Sequence, residues 1–333
     1  MLTVSLCMIV KNEEDILRRC LDSLKGIYDE AVIVDTGSTD RTKEIALEYT
    51  DRVYDFEWID DFAAARNFAF EKATCDYVYM ADADEVLDLE NHDKFLALKK
   101  ILDPEVEVVQ MYYVNQLQNG SVYNFDREPR AKLYKRVRHF KFIDPIHEVI
   151  RENPVVFDSD IDIIHMQKES HSKRDLMTFQ KAVSRQGMLS DRLISMYTRE
   201  LYLSGDEDDF RKAKPFFSEL SDSELTNDRL KEVSVILAKT AFYENDTTAL
   251  LKYSLKDVAL EGTSEMCCIL GQFFETAGDL NEAAMWYYNA AYETAPVIDL
   301  RSGKNIPLTR LSSIYESLGR EDLKNHYLSE LAK

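Results

Sequence analysis

The run Tyr79-Met80-Ala81-Asp82-Ala83-Asp84-Glu85 carries a hydrophobic stretch straight into clustered carboxylates. In an open parallel sheet, ligands bind outside the carboxyl ends of the strands, so such a run marks a site by its place as well as by its composition. Two carboxylates two residues apart at a strand end can address one hard divalent cation, with diphosphate oxygens and water completing its shell. A solvated acidic loop or a helix N-cap would use the same letters. A second run, Ala31 to Val34, also ends in an acid, Asp35, before Gly37 and the Ser38-Thr39-Asp40 group. Thr39 or Asp40 can cap the following helix, whereas Asp35 lies where a carboxylate could accept hydrogen bonds from a nucleobase or ribose. The exit of the first strand, Val10-Lys11-Asn12-Glu13, lines the same crevice. Lys11 there is either a surface lysine or a positive charge turned toward a nucleotide.

The elements that must position these residues follow a βαβα rhythm, the signature of a parallel sheet flanked by helices. Val/Ile-rich runs predict strands at Leu2 to Val10, Ala31 to Asp35, Arg52 to Phe56, Asp76 to Met80 and Val106 to Val114. Amphipathic stretches predict helices at Glu13 to Lys25, Asp40 to Tyr49, Phe62 to Ala73 and His92 to Leu102. From Gln118 to Pro154 the chain turns aromatic and basic, with Asn119-Gly120 as a hairpin signal, which predicts an antiparallel appendage to the sheet. After about Glu169 the pattern is helical almost to Lys333, so the expected division is 1–169 and 170–333. In the second part Leu270-Gly271, Phe274, Gly278, Ala283, Tyr287 and Ala290 fit the tetratricopeptide helix-turn-helix template, with Pro296 one residue late. Weaker echoes run from Leu237 to Ser254 and from Ser312 to Leu328, and Leu201, Gly205 and Ala213 form a degenerate first copy. A bare helical bundle is the alternative.

Composition narrows the classes. The 333 residues carry 41 Lys and Arg against 61 Asp and Glu, a net charge of −20, which repels phosphate backbones and anionic headgroups. Nucleic-acid and membrane-surface binding are therefore not expected. Five cysteines, of which only Cys267 and Cys268 are close, make a poor disulfide framework and fit a reducing cytoplasm. The opening Leu2 to Val10 run is too short to span a bilayer and lacks a basic leader, so neither an export signal nor a membrane segment is expected.

Four motifs in this order, SLCMIVKNEE, VIVDTGSTDRT, DFAAARNFAF and DYVYMADADE, resemble the family 2 glycosyltransferases of GT-A fold. The resemblance implies a Rossmann-like mixed α/β sheet flanked by helices, a nucleotide-sugar donor, Mn²⁺ or Mg²⁺ on the Asp-x-Asp, and inversion at the anomeric carbon. By that resemblance Asp35 would hold the base and Lys11 and Arg66 would border the diphosphate. Asp82 would lie near ribose and metal, and Asp84 would be the principal metal ligand. The segments LYKRVRHFKFIDPIHEVI and IDIIHMQKES are similar to those of bacterial family 2 enzymes with a C-terminal tetratricopeptide region, a group that includes glycocin S-glycosyltransferases. By that analogy His147 and Glu148 sit on the acceptor side and His165 completes the metal site. The Gln-x-x-Arg-Trp pattern of processive polysaccharide synthases does not occur.

Displacing a nucleoside diphosphate needs charge stabilisation on the leaving phosphate and an acceptor deprotonated from the opposite face. Glu148 is the candidate base, with His147 and then Asp144 behind it; a thiol acceptor would need less help, since its pKa is nearer neutrality. The expected enzyme is a metal-dependent UDP-sugar glycosyltransferase moving a hexose or N-acetylhexosamine to Ser/Thr or Cys of a peptide or protein. The helical half would bind that acceptor, form a homodimer, or both. A glycan or lipid-linked acceptor, and an inactive tetratricopeptide interaction protein, are the alternatives. A sugar-phosphate nucleotidyltransferase would need a glycine-rich first loop, and VKNEE has no glycine.

Overall fold

The computed structural model describes residues 2–114, 127–166 and 172–332. The Asn119-Gly120 turn signal lies outside them. The chain divides into two compact units, Met1–Ser170 and His171–Lys333.

In chain order the first unit contains β1 (Val4–Val10), α1 (Leu17–Ser23), β2 (Glu30–Asp35), α2 (Thr42–Leu47), β3 (Val53–Asp55), α3 (Phe62–Lys72) and β4 (Tyr77–Met80). It continues with β5 (Glu85–Val86), α4 (Leu89–Ile101), β6 (Val108–Val114), β7 (Arg127–Lys135), β8 (Phe142–Ile143), β9 (Val149–Ile150) and β10 (Val156–His165). Eight of these strands form one sheet in the order β3-β2-β1-β4-β7-β6-β10-β5. Near-continuous apolar runs such as Val4–Val10 form strands covered on both faces, which is where parallel strands belong. Leu17, Leu21, Ile45, Phe95 and Leu98 from α1, α2 and α4 fill the core on one face. Ala63, Ala69 and Phe70 of α3 join Phe140 and Phe142 on the other.

Strand direction decides where the site lies. The strands β3, β2, β1 and β4 pair in parallel. β7 runs antiparallel to both β4 and β6, and β10 is parallel to β6. The carboxyl ends of β1, β2, β4, β6 and β10 therefore share one edge of the sheet. This is a mixed sheet with helices on both faces. The expectation of an antiparallel appendage needs correction: β7 is an interior strand between β4 and β6, and only the small β8–β9 hairpin stands apart. Charged residues at the start of β7 obscured a strand whose end, Leu133 and Tyr134, is core. Neither candidate cap starts α2, whose N-cap is Arg41; Asp40 instead accepts the N–H groups of Thr42 and Glu14, bracing the turn against the β1 exit.

Among the described residues the second unit has nine α-helices. They are α5 (Ser172–Gln186), α6 (Asp191–Ser204), α7 (Glu207–Ser221), α8 (Asn227–Tyr243), α9 (Thr247–Val258), α10 (Ser264–Thr276), α11 (Leu280–Tyr292), α12 (Asn305–Ser317) and α13 (Glu321–Leu331). Short connections pair α8 with α9, α10 with α11 and α12 with α13, each a packed helical hairpin. The best repeat match falls on α10 and α11, where Gly271 meets the ring of Tyr287. A Cβ at Gly271 would lie 2.8 Å from that buried ring. No helix among the described residues is long and apolar enough to cross a membrane.

Gly271→Val is expected to destabilise the protein, because overpacking a filled core costs about 1–3 kcal/mol. Gly271→Ala should lose less, its smaller clash being offset by about 1 kcal/mol of helix propensity. Urea unfolding followed by far-UV circular dichroism measures both, and a stabilised Gly271→Val would show that the close approach is unimportant.

Candidate active site

The carboxyl edge of the sheet collects Asp35 at the end of β2, Asp82 and Asp84 just past β4, Tyr113 near the end of β6 and His165 at the end of β10. β5 folds back along β10 with Glu85 opposite His165, and Met166 N–H donates to the Asp84 carbonyl at 2.8 Å. Behind the acidic loop, the Cys20 thiol on α1 donates to the Asp82 carbonyl at 3.4 Å. The Asp-x-Asp segment is thus fixed from both sides by backbone contacts.

Arg66 comes from the opposite face. Asp61 caps α3 by accepting from Ala64 N–H, and alanines at 63, 65 and 69 are buried, allowing the helix to lie close on β1 and β2. One turn along, Asn67 exchanges two 2.8 Å hydrogen bonds with the backbone of Phe142, while Phe62 N–H donates to the Pro145 carbonyl. These bonds tie the β8–β9 hairpin, and with it His147 and Glu148, to the helix that carries Arg66. Asp144 and His147 both take left-handed conformations, with φ of 74° and 51°, as the hairpin loop turns tightly. Arg66 Nη2 donates to Asp82 Oδ1 at 2.8 Å and its Nε to Glu148 Oε1. The side chains of Arg66 and Glu148 are each only 13% exposed.

This pairing governs the charge of the site. Burial alone would raise the Asp82 carboxyl, but Arg66 and Lys132 outweigh it and hold the group well below the usual carboxylate range. Arg66, flanked by two carboxylates, is held firmly protonated despite its burial.

Two neighbours, Lys132 and Tyr113, were not among the residues singled out from the sequence, and Glu85 was named there only as the end of the acidic run. Glu85, 2% exposed, is bound by Lys132 Nζ and by the Tyr113 hydroxyl. Lys132 Nζ also lies 3.5 Å from Asp82 Oδ2. Lys132 reaches the cluster because the β6–β7 register shifts between Val109 and Gln110, leaving it as an extra residue without a cross-strand partner. Such a bulge re-aims a side chain. The available sequence signal was a break in alternation, Lys132 standing beside Leu133 and Tyr134. Burial pushes the Glu85 carboxyl up to about 7 against the pull of Lys132, and its Oε2 is buried with no hydrogen-bond partner.

Asp84 and His165 form a separate pair, His165 Nε2 lying 3.0 Å from Asp84 Oδ2. Burial pulls the imidazole down, but the hydrogen bond and charge of Asp84 outweigh it and hold the group above its ordinary value. The expected ligand set of Asp82, Asp84 and His165 is not gathered as three, and among the described residues no three His, Cys, Asp or Glu side chains converge. Asp82 is turned to Arg66 and Lys132 instead. A carboxylate oxygen beside an imidazole nitrogen still fits a divalent cation, and the nitrogen suits Mn²⁺ better than Mg²⁺.

Asp35 is 2% exposed; its Oδ1 accepts the N–H groups of Gly37 and Ser38 at 2.7 Å, and its Oδ2 is buried without a partner. A buried acceptor with nothing to accept makes Asp35 Oδ2 a candidate ligand contact. Lys11 is exposed at the exit of β1, outside the Arg66 and Asp84 clusters. His147 is exposed at the hairpin tip.

Residues 5–153 match the family model described as Glycosyl transferase family 2. A TPR repeat-containing protein of Synechococcus elongatus is 39% identical over 153 residues, 46% of this chain and 36% of its own. The SPbeta prophage-derived glycosyltransferase SunS of Bacillus subtilis is 30% identical over 149 residues, 44% of this chain and 34% of its own. An uncharacterized glycosyltransferase of Rickettsia typhi is 30% identical over 174 residues, 48% of this chain and 55% of its own. The chain thus spans about a third of the first two relatives and just over half of the third. Among solved structures, glucosyl-3-phosphoglycerate synthase from Mycobacterium tuberculosis in complex with Mg²⁺ and UDP aligns with a TM-score of 0.40 at 15% identity, covering 57% of this chain and 81% of that one.

Lys132→Met should strand Glu85 beside Asp82. Breaking a buried pair from one side costs about 3–5 kcal/mol, reduced by whatever Glu85 recovers on taking up a proton. The double variant Lys132→Met/Glu85→Gln should regain part of that loss. Urea midpoints of the two variants compare them directly, and equal losses would mean that Lys132 and Glu85 are not coupled.

Proposed function

We propose, from the premise that the first unit carries a family 2 glycosyltransferase domain, that this protein is a metal-dependent, inverting glycosyltransferase. It moves a hexose or N-acetylhexosamine from a UDP-sugar to a Ser/Thr or Cys side chain of a polypeptide. The observation that carries this reading is the Arg66 guanidinium, which joins Asp82 on the strand edge to Glu148 on the hairpin, beside the Asp84–His165 pair. A site that links a donor-side acid to an acceptor-side acid through one cation is built for displacement between two substrates.

In this reading the nucleoside lies along the β2 end, where Asp35 Oδ2 accepts an N–H of the base. Lys11 borders the nucleotide from the exposed exit of β1. Asp84 and His165 hold the divalent cation, which when bound supplies positive charge to the leaving diphosphate. Arg66 adds a fixed cation on the same side, already oriented by its two carboxylates, so little reorganisation is needed as charge develops. Glu148 takes the acceptor proton, with His147 exposed at the acceptor entrance. The paired helices of the second unit supply a surface suited to an extended polypeptide, and are read here as tetratricopeptide-like. Homodimerisation through that unit is compatible with this use.

Asp84→Asn is expected to abolish Mn²⁺-dependent transfer and donor hydrolysis while leaving the circular dichroism spectrum intact; activity near that of wild type would remove Asp84 from the cation site. Glu148→Gln should retain UDP binding and lose a general-base factor of about 10²–10⁴ in transfer. Equal losses of binding and transfer would make Glu148 a donor ligand or a structural residue. Asp35→Asn keeps an acceptor for Gly37 and Ser38 but replaces the orphan oxygen with a donor. It should weaken UDP binding by about 1.5–3 kcal/mol, and unchanged affinity by calorimetry would exclude the base contact.

A further inference from the structure

His165 reaches Asp84 from the last residue of β10, a position from which an imidazole could swing into several rotamers. It is held by more than its backbone. The ring of Tyr113 lies parallel to it, with centroids 5.0 Å apart and an angle of 9° between the planes. Tyr113 comes from β6, the parallel neighbour of β10, and is 8% exposed. Its hydroxyl donates to Glu85 Oε1, and Glu85 is the residue that backbone pairing sets opposite His165. Lys132 Nζ holds the same carboxylate oxygen and lies 5.0 Å from the centre of the Tyr113 ring. A phenol that served only to fill space would gain nothing from burying its hydroxyl against an acid. Here that hydrogen bond joins the stacked ring to the residue paired with His165.

We propose that Tyr113 is the positioning residue for His165: its ring is the platform on which the imidazole rests, and Glu85, held by Lys132, pins that platform. The proposal rests on the reading of Asp84 and His165 as the cation pair. Residues behind a metal ligand fix its orientation, and their loss typically lowers metal affinity by about 10–100-fold. Tyr113→Leu removes platform and pin together, whereas Tyr113→Phe keeps the ring and frees it from Glu85.

The test uses the full chain and two readouts. Mn²⁺ affinity is measured by electron paramagnetic resonance in saturating UDP, and the His165 imidazole is followed by ¹⁵N NMR in histidine-labelled, metal-free protein. We expect Tyr113→Leu to weaken Mn²⁺ binding by about 10–100-fold and to shift or broaden the His165 signals. Tyr113→Phe should fall between it and wild type, and UDP binding without metal should be unchanged in both. Unchanged Mn²⁺ affinity or unchanged His165 signals in Tyr113→Leu overturn the proposal. Should Asp84→Asn bind Mn²⁺ as tightly as wild type, the cation reading fails, and the metal-free spectra alone then decide: changed signals sustain the platform and unchanged ones overturn it. Where Tyr113→Leu does not fold, Tyr113→Phe decides on the same readouts, Mn²⁺ affinity and signals identical to wild type overturning the role of the hydroxyl pin.

Discussion

One guanidinium holds the carboxyl edge of the sheet and the β8–β9 hairpin together. Arg66 is enclosed between Asp82, at the end of a strand, and Glu148, in a hairpin loop on the other face of the sheet. In a chain with a net charge of −20, two carboxylates brought to one spot would repel each other and lose hydration. With Arg66 between them, each gains a directed hydrogen bond from the same cation. The alanines of α3 and the Asn67 clasp on Phe142 can be understood from this requirement: they bring the helix close enough, and hold the hairpin steady enough, for one side chain to span the gap.

The same economy of cations divides the acidic cluster into compartments. Asp82 and Glu85 are served by Arg66 and Lys132, whereas Asp84, between them in sequence, faces His165. Three acids within four residues therefore have three different environments. The cationic groups at Asp82 hold it ionised, burial drives Glu85 toward neutrality, and Asp84 shares its charge with an imidazole. The partners of each carboxylate in this short loop are thus set by what the surrounding strands present to it.

The helical unit is built on a different principle. Its stability comes from neighbouring helices that pack through small residues, as Gly271 does against Tyr287, with most helix starts capped by a Ser, Thr or Asp side chain. Contacts within and between neighbouring helix pairs, α8 with α9, α10 with α11 and α12 with α13, build the unit.

The amino-acid sequence by itself determined the alternation of strands and helices, the switch to an all-helical second half, and the acids at the ends of β2 and β4. These features are local: a buried strand, an amphipathic helix and a strand-end carboxylate each show in a few consecutive residues, through the period of their apolar positions. The third of the four motifs carried Arg66 into the candidate set, and the segments LYKRVRHFKFIDPIHEVI and IDIIHMQKES carried Glu148 and His165. Only the tertiary structure decided that β7 lies inside the sheet, that a register shift turns Lys132 inward, that Arg66 joins Asp82 to Glu148, and that Asp82 pairs with Arg66 and Lys132 while Asp84 pairs with His165. Strand order and register arise from pairing between segments far apart in the chain, and the choice of partner for each charge follows from that pairing. No local period encodes either one.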